Sequence, residues 1–313
     1  MKFSALLVDG MRQTPVVSFV LPALSFLATA GIAMSVFADD HGKAEAKPTL
    51  LTTEITDTLF MIKGEGGFTG GNVVVAVGDK HLVMIDDKIP AMGEPLMKAV
   101  KAISDRPITF LVNTHLHKDH SGNNAAFAKQ HTHIVGHDNV RVRMKNKADQ
   151  YAVEDLPVLT YSQSMSIHIA GQPAVLTHTP SAHTDGDSII HFTEAKVLHA
   201  GDLFFNGLFP YIDLDSGGSV DGYIRAQQTI LNNIDDNTTI IPGHGPIADK
   251  KTLQKHNAML IDAKRIVEAA LSKGQSLEQM QADKVLSKYQ SYHWGFITQD
   301  KMIAQLYRDL ADK

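Results

Sequence analysis

The segment Thr114–His120 of this 313-residue chain places four candidate metal ligands within six consecutive positions. They follow the pattern H-x-H-x-D-H and are His115, His117, Asp119 and His120. Neutral imidazole is a preferred ligand of zinc, and a carboxylate beside it permits a second metal ion. The apolar residues 107–112 come directly before the segment and predict a buried strand. The chain must therefore fold so that a sheet aims this cluster at a metal site.

Three later segments each offer one further candidate ligand. His183 lies in a loop just before a strand predicted from Ser188, and Asp202 lies at the end of an apolar strand. His244 stands between two glycines after a third strand. A single polar side chain at a strand end is ordinarily a surface residue, but here the same placement recurs three times. The recurrence predicts that all three side chains join the cluster as ligands.

Both halves of the chain mix strands with helices. Alternating or apolar stretches predict strands at residues 54–63, 72–77, 81–86, 107–112, 133–135, 165–169, 174–177, 188–192, 196–199 and 238–241. Helical periodicity predicts helices at residues 91–104, 124–130, 139–147, 220–233 and 250–273, with two more helical pieces within 277–311. Two strand-rich halves that each end in helices predict an α+β fold, an αββα sandwich with helices on its outer faces.

The N-terminal residues have the pattern of a secretory signal peptide. Lys2 and Arg12 precede an apolar stretch at residues 16–37, and Ala38 ends a segment that a signal peptidase can cleave. We therefore expect residues 1–38 to be removed and the protein to be periplasmic or secreted, with no membrane attachment after cleavage. The alternative is an uncleaved anchor, because the apolar stretch approaches the roughly 20 residues that a membrane span needs.

The composition limits the domain organisation, the types of metal ligand and the classes of partner. Residues 39–49 are rich in Lys, Ala, Glu and Gly and predict a disordered linker, which leaves residues 50–313 as one domain. The chain has no cysteine, which excludes disulfides and thiolate ligands. Its formal net charge is -5, and it has no dense run of Lys and Arg, so we expect no nucleic-acid partner.

The motifs from Gly70-Gly71 to His244 resemble those of the metallo-β-lactamase superfamily, whose fold is a sandwich of two mixed sheets flanked by helices. The resemblance implies that residues 50–313 form a hydrolase domain with two Zn²⁺ ions per chain. It implies that the first ion is held by His115, His117 and His183, and the second by Asp119, His120 and His244, with Asp202 bridging both. Asp86 resembles the buried carboxylate that supports the ligands in this family.

The resemblance also implies a reaction on a small-molecule substrate. Two zinc ions can share a water and lower its pKa to about 7, so that hydroxide attacks a carbonyl carbon at neutral pH. Asp119 is placed to orient this nucleophile or to pass on a proton. We therefore expect hydrolysis of a carboxylic ester, thioester, lactone or lactam.

Two positions depart from the β-lactamases of this superfamily that carry a cysteine ligand. Asp202 stands where they have the Cys, and Phe205 stands where they have a Lys that grips the antibiotic carboxylate. The bridging Asp is instead similar to glyoxalase II thioesterases and acyl-homoserine lactonases. Esterase, lactonase or thioesterase activity therefore ranks above hydrolysis of β-lactam antibiotics, which stays an alternative.

Two further alternatives lie outside hydrolysis. The iron-carrying redox branch of the superfamily resembles this chain less, because it uses Glu-type ligation in the cluster and appends a flavin domain. A non-catalytic periplasmic metal-binding accessory protein would keep the site without turnover, and the intact set of candidate ligands argues against it.

Three aromatic residues are candidates for substrate contact. The glycine-rich segment Gly64–Gly71 is a candidate flap with Phe68 at its tip, and a plain turn is the alternative. Phe205 and Tyr211 follow Asp202 closely and are candidates for the substrate wall, with core packing as the alternative. His293 and Trp294, in a late loop, are expected to be structural, with contact to substrate as the alternative.

Overall fold

Two β-sheets face each other across an apolar layer in the computed structural model, which describes residues 47–311. The first sheet has seven strands in chain order. These are β1 (Thr49–Thr56), β2 (Leu59–Glu65), β3 (Val73–Val77), β4 (Leu82–Ile85), β5 (Ile108–Val112), β6 (His133–His137) and β7 (Leu159–Tyr161). Neighbouring strands are antiparallel from β1 to β4 and parallel from β4 to β7, so this sheet is mixed.

The second sheet has five strands in the order β12-β11-β10-β9-β8. These are β8 (Ser164–Ile169), β9 (Gln172–His178), β10 (Ser188–Phe192), β11 (Val197–Phe205) and β12 (Thr239–His244). The pair β11/β12 is parallel and the other pairs are antiparallel. The predicted sandwich of two mixed sheets is therefore confirmed.

Helices cover the outer faces of both sheets. The α-helices of residues 47–311 are α1 (Gly93–Ile103), α2 (Lys118–Ser121), α3 (Asn124–Ala128), α4 (Asp138–Asn146), α5 (Val220–Asn233), α6 (Lys250–Leu271), α7 (Leu277–Ala282) and α8 (Gln299–Ala311). None of the helices within residues 47–311 is long and apolar enough to cross a membrane. All of these elements fall in one compact unit.

The alternation of side chains along each strand explains the layers. In β3, Val74 and Ala76 face the second sheet, where they join a buried cluster that includes Ile190. Val73 and Val75 point the other way and pack in a cluster with residues of α1 and α3. Because both faces of this strand are buried, it reads as an uninterrupted apolar run.

The structure corrects two strand predictions. The segment predicted as one strand at 54–63 contains a turn at residues 57–58, which joins β1 to β2 as a hairpin. The strand predicted at 196–199 continues to Phe205, so Asp202 lies within β11 instead of at its end.

The N-terminal predictions fall mostly outside the described residues. The predicted signal peptide, residues 1–38, and residues 39–46 of the predicted linker lie there. Thr49, the last residue assigned to that linker, is the first residue of β1.

Candidate metal centre

The H-x-H-x-D-H cluster occupies the connection between β5 and α2. β5 ends at Val112, so His115 and His117 lie in a bent segment beyond the strand. Their rings nevertheless reach one cluster, with centroids 4.8 Å apart. Asp119 and His120 follow within α2.

The three later candidates come from the second sheet. His183 lies in the loop between β9 and β10, and His244 is the last residue of β12. Asp202 follows Gly201, whose φ of 51° interrupts the register between β11 and β12. That backbone conformation suits glycine, and the irregularity lets a mid-strand carboxylate turn towards the site.

The first group of donor atoms contains His115, His117, His183 and Asp202, with one donor atom each within 4.8 Å of the others. The Nε2 atom of His183 lies 2.9 Å from Nδ1 of His117. Asp202 Oδ2 lies 3.4 Å from His183 Nε2 and 3.7 Å from His115 Nε2. All members except His117 are buried.

The second group of donor atoms contains His120, Asp202 and His244, with Asp119 beside it. The Nε2 atoms of His120 and His244 are 3.3 Å apart. Asp202 Oδ1 lies 3.0 Å from His120 Nε2 and 3.4 Å from His244 Nε2. Asp119 Oδ2 lies 3.2 Å from His244 Nε2. Asp202 thus turns one carboxylate oxygen towards each group of donor atoms.

Two buried donor atoms in this cluster have no hydrogen-bond partner among residues 47–311. They are Nε2 of His115 and Oδ1 of Asp202, whose 3.0 Å contact with His120 Nε2 lacks the geometry of a hydrogen bond. Leaving a buried polar atom without a partner is costly. Metal ions would satisfy both atoms, and the nitrogen and oxygen donors are those that zinc accepts. The residues present therefore fit a pair of divalent cations.

Oxygen acceptors hold the outward nitrogens of three histidines. His117 Nε2 lies 2.9 Å from Asp213 Oδ2, and His183 Nδ1 lies 2.7 Å from the carbonyl oxygen of Tyr211. His120 Nδ1 lies 2.7 Å from Asp86 Oδ2. An outward N–H that donates to oxygen leaves the inward nitrogen with its lone pair free for a metal.

Asp86 lies at the centre of this supporting network. Its carboxylate also accepts hydrogen bonds from the backbone N–H and the hydroxyl of Thr114, both at 2.8 Å. The Thr114 hydroxyl in turn lies 3.0 Å from His115 Nδ1. Asp86 has a φ of 61°, an uncommon backbone conformation for a residue with a side chain. One carboxylate thereby orients one histidine of each group of donor atoms.

Sequence reasoning missed two residues of the network, Asp213 and Lys88. Asp213 follows His117 by 96 positions, so no local spacing signals their contact. Lys88 is fully buried, and its ammonium group donates to the carbonyl oxygen of Gly71 at 2.8 Å. A lysine is ordinarily read as a surface residue, and nothing in the sequence around position 88 signals otherwise.

Gly71 and Gly243 let the backbone approach the donor atoms closely. A Cβ atom at Gly71 would lie 2.1 Å from Cε1 of His120, and one at Gly243 would lie 2.1 Å from Oδ1 of Asp202. Any larger residue at either position would have to displace a candidate ligand. This contact gives a physical reason for the Gly70-Gly71 motif.

The two groups of donor atoms differ in protonation. Burial lowers the pKa of His115, and lowers that of His183 to about 4, so both rings are neutral. Burial acts the same way on His120 and His244, but carboxylates, Asp202 foremost, outweigh it. The pKa of His120 is raised well above its usual value, and that of His244 is raised to about 9. A bound cation would replace these protons.

A cavity of about 860 Å³ opens over the donor atoms. Phe68, Phe205 and Tyr211 all line it, as do Trp294 and Phe296. Trp294 also has the structural role we expected, because its Nε1–H donates to the carbonyl oxygen of Phe209 at 2.9 Å.

Comparison with known proteins agrees with this arrangement. The family model of the metallo-beta-lactamase superfamily matches residues 66–244. A metallo-beta-lactamase from Pontibacter korlensis is 18% identical with a TM-score of 0.60, over 68% of this chain and 99% of that one. A sec-alkylsulfatase from Pseudomonas sp. is 14% identical with a TM-score of 0.63, over 82% of this chain and 49% of that one. A search of curated proteins returned no match. The structural likenesses show the fold, and the family match, which covers more than half of the chain, shows that it belongs to the metallo-beta-lactamase superfamily.

Proposed function

We propose that the protein is a dinuclear zinc hydrolase that cleaves a carboxylic ester, thioester, lactone or lactam. One observation carries this proposal: the two groups of donor atoms share Asp202. Each carboxylate oxygen of Asp202 faces one of the two groups. In the proposed site, His115, His117 and His183 hold one ion, and Asp119, His120 and His244 hold the other. When bound, such ions supply Lewis-acid polarisation of a carbonyl oxygen and activation of a water.

Asp119 is the residue that we assign to proton handling. It lines the cavity, and its side chain is 20% exposed, so it can reach both the donor atoms and a substrate. Burial would raise its pKa, but His120 and His244 lower it to about 2. Asp119 is therefore a carboxylate at neutral pH, able to accept a hydrogen bond from the attacking water and orient it towards the carbonyl carbon.

Tyr211 and Phe205 support the assignment of substrate class. Burial raises the pKa of Tyr211 to about 12, so its hydroxyl stays protonated and can donate a hydrogen bond. Phe205 is buried and stacks on His244 with ring centroids 4.9 Å apart. Position 205 therefore offers no ammonium group to grip an antibiotic carboxylate. We therefore rank an ester, thioester or lactone above a β-lactam as the substrate.

The test combines metal analysis with a substrate panel. We expect about two zinc ions per purified chain, and turnover of at least one of an aryl ester, a thioester, a lactone and nitrocefin. Asp119→Ala should lose most of the turnover of that substrate, by roughly 10²–10⁴-fold for a residue that handles protons. Wild-type rates in this variant would contradict the role of Asp119. Iron in place of zinc would contradict the hydrolase.

We further propose that the protein is exported to the periplasm or secreted. The support is the charged start, the apolar stretch at residues 16–37 and the cleavable segment that ends at Ala38. N-terminal sequencing of the mature protein should begin at Asp39. A start at Met1 in a membrane fraction would favour the uncleaved anchor.

A further inference from the structure

We infer that the Trp294–Phe296 segment is a substrate-binding wall that selects an acyl group with a long or bulky apolar chain. This inference rests on the proposed function, because it names the substrate class for the same cavity. The segment lies beyond residue 244, where the family match ends, and before α8.

The backbone and side-chain contacts of the segment hold its rings in place. The backbone N–H of Trp294 donates to the carbonyl oxygen of Ile297 at 3.2 Å, and its indole N–H donates to Phe209. Lys301 donates to the carbonyl oxygen of Phe296 at 2.8 Å, and its ammonium group lies 5.1 Å from the centroid of the Phe296 ring. With its only side-chain donor occupied, Trp294 presents an apolar surface to the cavity.

The rings of this segment extend a continuous aromatic surface from the candidate ligands to solvent. Trp294 lies 6.2 Å from both Phe205 and His244, and 5.6 Å from Phe296, measured between ring centroids. Phe296 in turn lies 5.5 Å from Tyr211. An apolar chain attached to a carbonyl group at the metal site would therefore meet aromatic rings along its whole length.

Two phenylalanines at this cavity are unusually exposed for their size. Phe296 is 51% exposed, and Phe68, at the tip of the glycine-rich segment, is 58% exposed. The Phe68 ring stacks near His244, with centroids 6.2 Å apart. Exposed apolar surface around a concave site is typical of a ligand-binding groove. A bound apolar chain would bury both rings.

The size and charge of the cavity agree with this substrate class. Its volume of about 860 Å³ lies near the upper end of the range for ligand pockets. Lys118, Lys147 and Gln150 also line it, but the lining residues of the C-terminal segment are uncharged. The part of the cavity next to Trp294 and Phe296 is therefore the place for an apolar group.

Binding can be tested without any reaction, because Trp294 is the single tryptophan of the chain. The full-length protein is titrated with neutral n-alkanols from butanol to decanol while its tryptophan emission is recorded. We expect a saturable change and a Kd that falls by about fourfold per added methylene. No saturable change, or a Kd independent of chain length, would overturn the inference.

Phe296→Ala keeps the fluorescent reporter and removes one exposed ring. It should weaken decanol binding by at least about fivefold, and Phe296→Leu should restore most of the affinity. Ile261→Ala changes a 43% exposed side chain on α6 and should bind as the wild type does. If Phe296→Ala binds decanol with the Kd of the wild type, the Trp294–Phe296 segment is not the binding wall.

An ester series separates this inference from the proposed function. With zinc bound, kcat/KM for p-nitrophenyl esters should rise from acetyl to decanoyl in the wild type and rise less in Phe296→Ala. Alkanol binding that depends on chain length, without hydrolysis of any ester, would support the wall and count against the hydrolase. Hydrolysis without any preference for chain length, and without alkanol binding, would support the hydrolase and overturn the wall.

Discussion

The imidazole of His117 is held on both sides, because Nδ1 faces His183 and Nε2 faces the carboxylate of Asp213. Asp213 also accepts a hydrogen bond from the backbone N–H of Ser216 at 3.0 Å, which fixes its side chain. Asp213→Asn keeps the shape but exchanges the charged acceptor for an amide. We expect zinc affinity to fall roughly 10–100-fold with little loss of stability.

Chelator-competition titration measures this affinity. Asp215→Asn is the matched control, because Asp215 lies two positions away, pairs with Arg308 and contacts no candidate ligand in the structure. Zinc affinity in Asp213→Asn equal to that of the control would show that Asp213 does not position His117.

The contact between Gly71 and His120 leads to a second prediction at the scale of single residues. A Cβ atom at position 71 would overlap the His120 ring, which Asp86 holds from its other side. In the proposed two-zinc site, Gly71→Ala should therefore displace His120, and the zinc content should fall from about two ions to about one. Gly295→Ala is the control, because its Cβ atom would meet open space. Two zinc ions in Gly71→Ala, by elemental analysis, would refute this geometry.

At the scale of secondary structure, the sequence predicted most elements because each has a strong local period. The helix predicted at 220–233 has those bounds in the structure, and Ser219 caps it by accepting a hydrogen bond from the backbone N–H of Gly222. The hairpin at residues 57–58 was missed because the alternating pattern runs through its turn. Asp202 was placed at a strand end because an apolar run does not reveal where strand pairing continues.

The docking of α6 should depend on pH through His256. This buried ring contacts Gln227 at 2.9 Å and the carbonyl oxygen of Leu208 at 3.2 Å, and burial lowers its pKa to about 4. In the unfolded chain His256 has its usual pKa of 6.5, so it binds a proton at a higher pH than in the folded protein. The neutral His256 ring therefore stabilises the folded protein above pH 6.5, and this stabilisation is lost as pH falls towards 4.

Between pH 7 and pH 5 this loss amounts to about 2 kcal/mol of unfolding free energy. Urea denaturation of the metal-free protein at both pH values measures it. His256→Gln should lose about 2 kcal/mol less than wild type over this interval, because glutamine does not titrate. An equal loss in both proteins would mean that His256 is not neutral in the folded state.

At the scale of the whole molecule, the candidate ligands join the two halves of the sandwich. His115, His117, Asp119 and His120 follow β5 of the first sheet, whereas His183, Asp202 and His244 belong to the second sheet or its loops. The sequence predicted all seven as candidate ligands, because each follows a predicted strand. It could not predict Asp213, because its contact with His117 exists only after the two sheets have packed. It could not predict Lys88 either, because its contact with Gly71 forms only when the connections of the first sheet come together.

Metal removal should therefore lower the stability of the whole sandwich. At free zinc 100 times the Kd, each site would contribute about 2.7 kcal/mol, and two sites would raise the unfolding midpoint by roughly 10–20 °C. Thermal unfolding with and without EDTA, with zinc content checked before heating, measures this shift. Asp202→Asn should show less than half of it, because Asp202 contributes an oxygen to both groups of donor atoms. If EDTA leaves the unfolding midpoint of the zinc-loaded wild type unchanged, the ions do not hold the two sheets together.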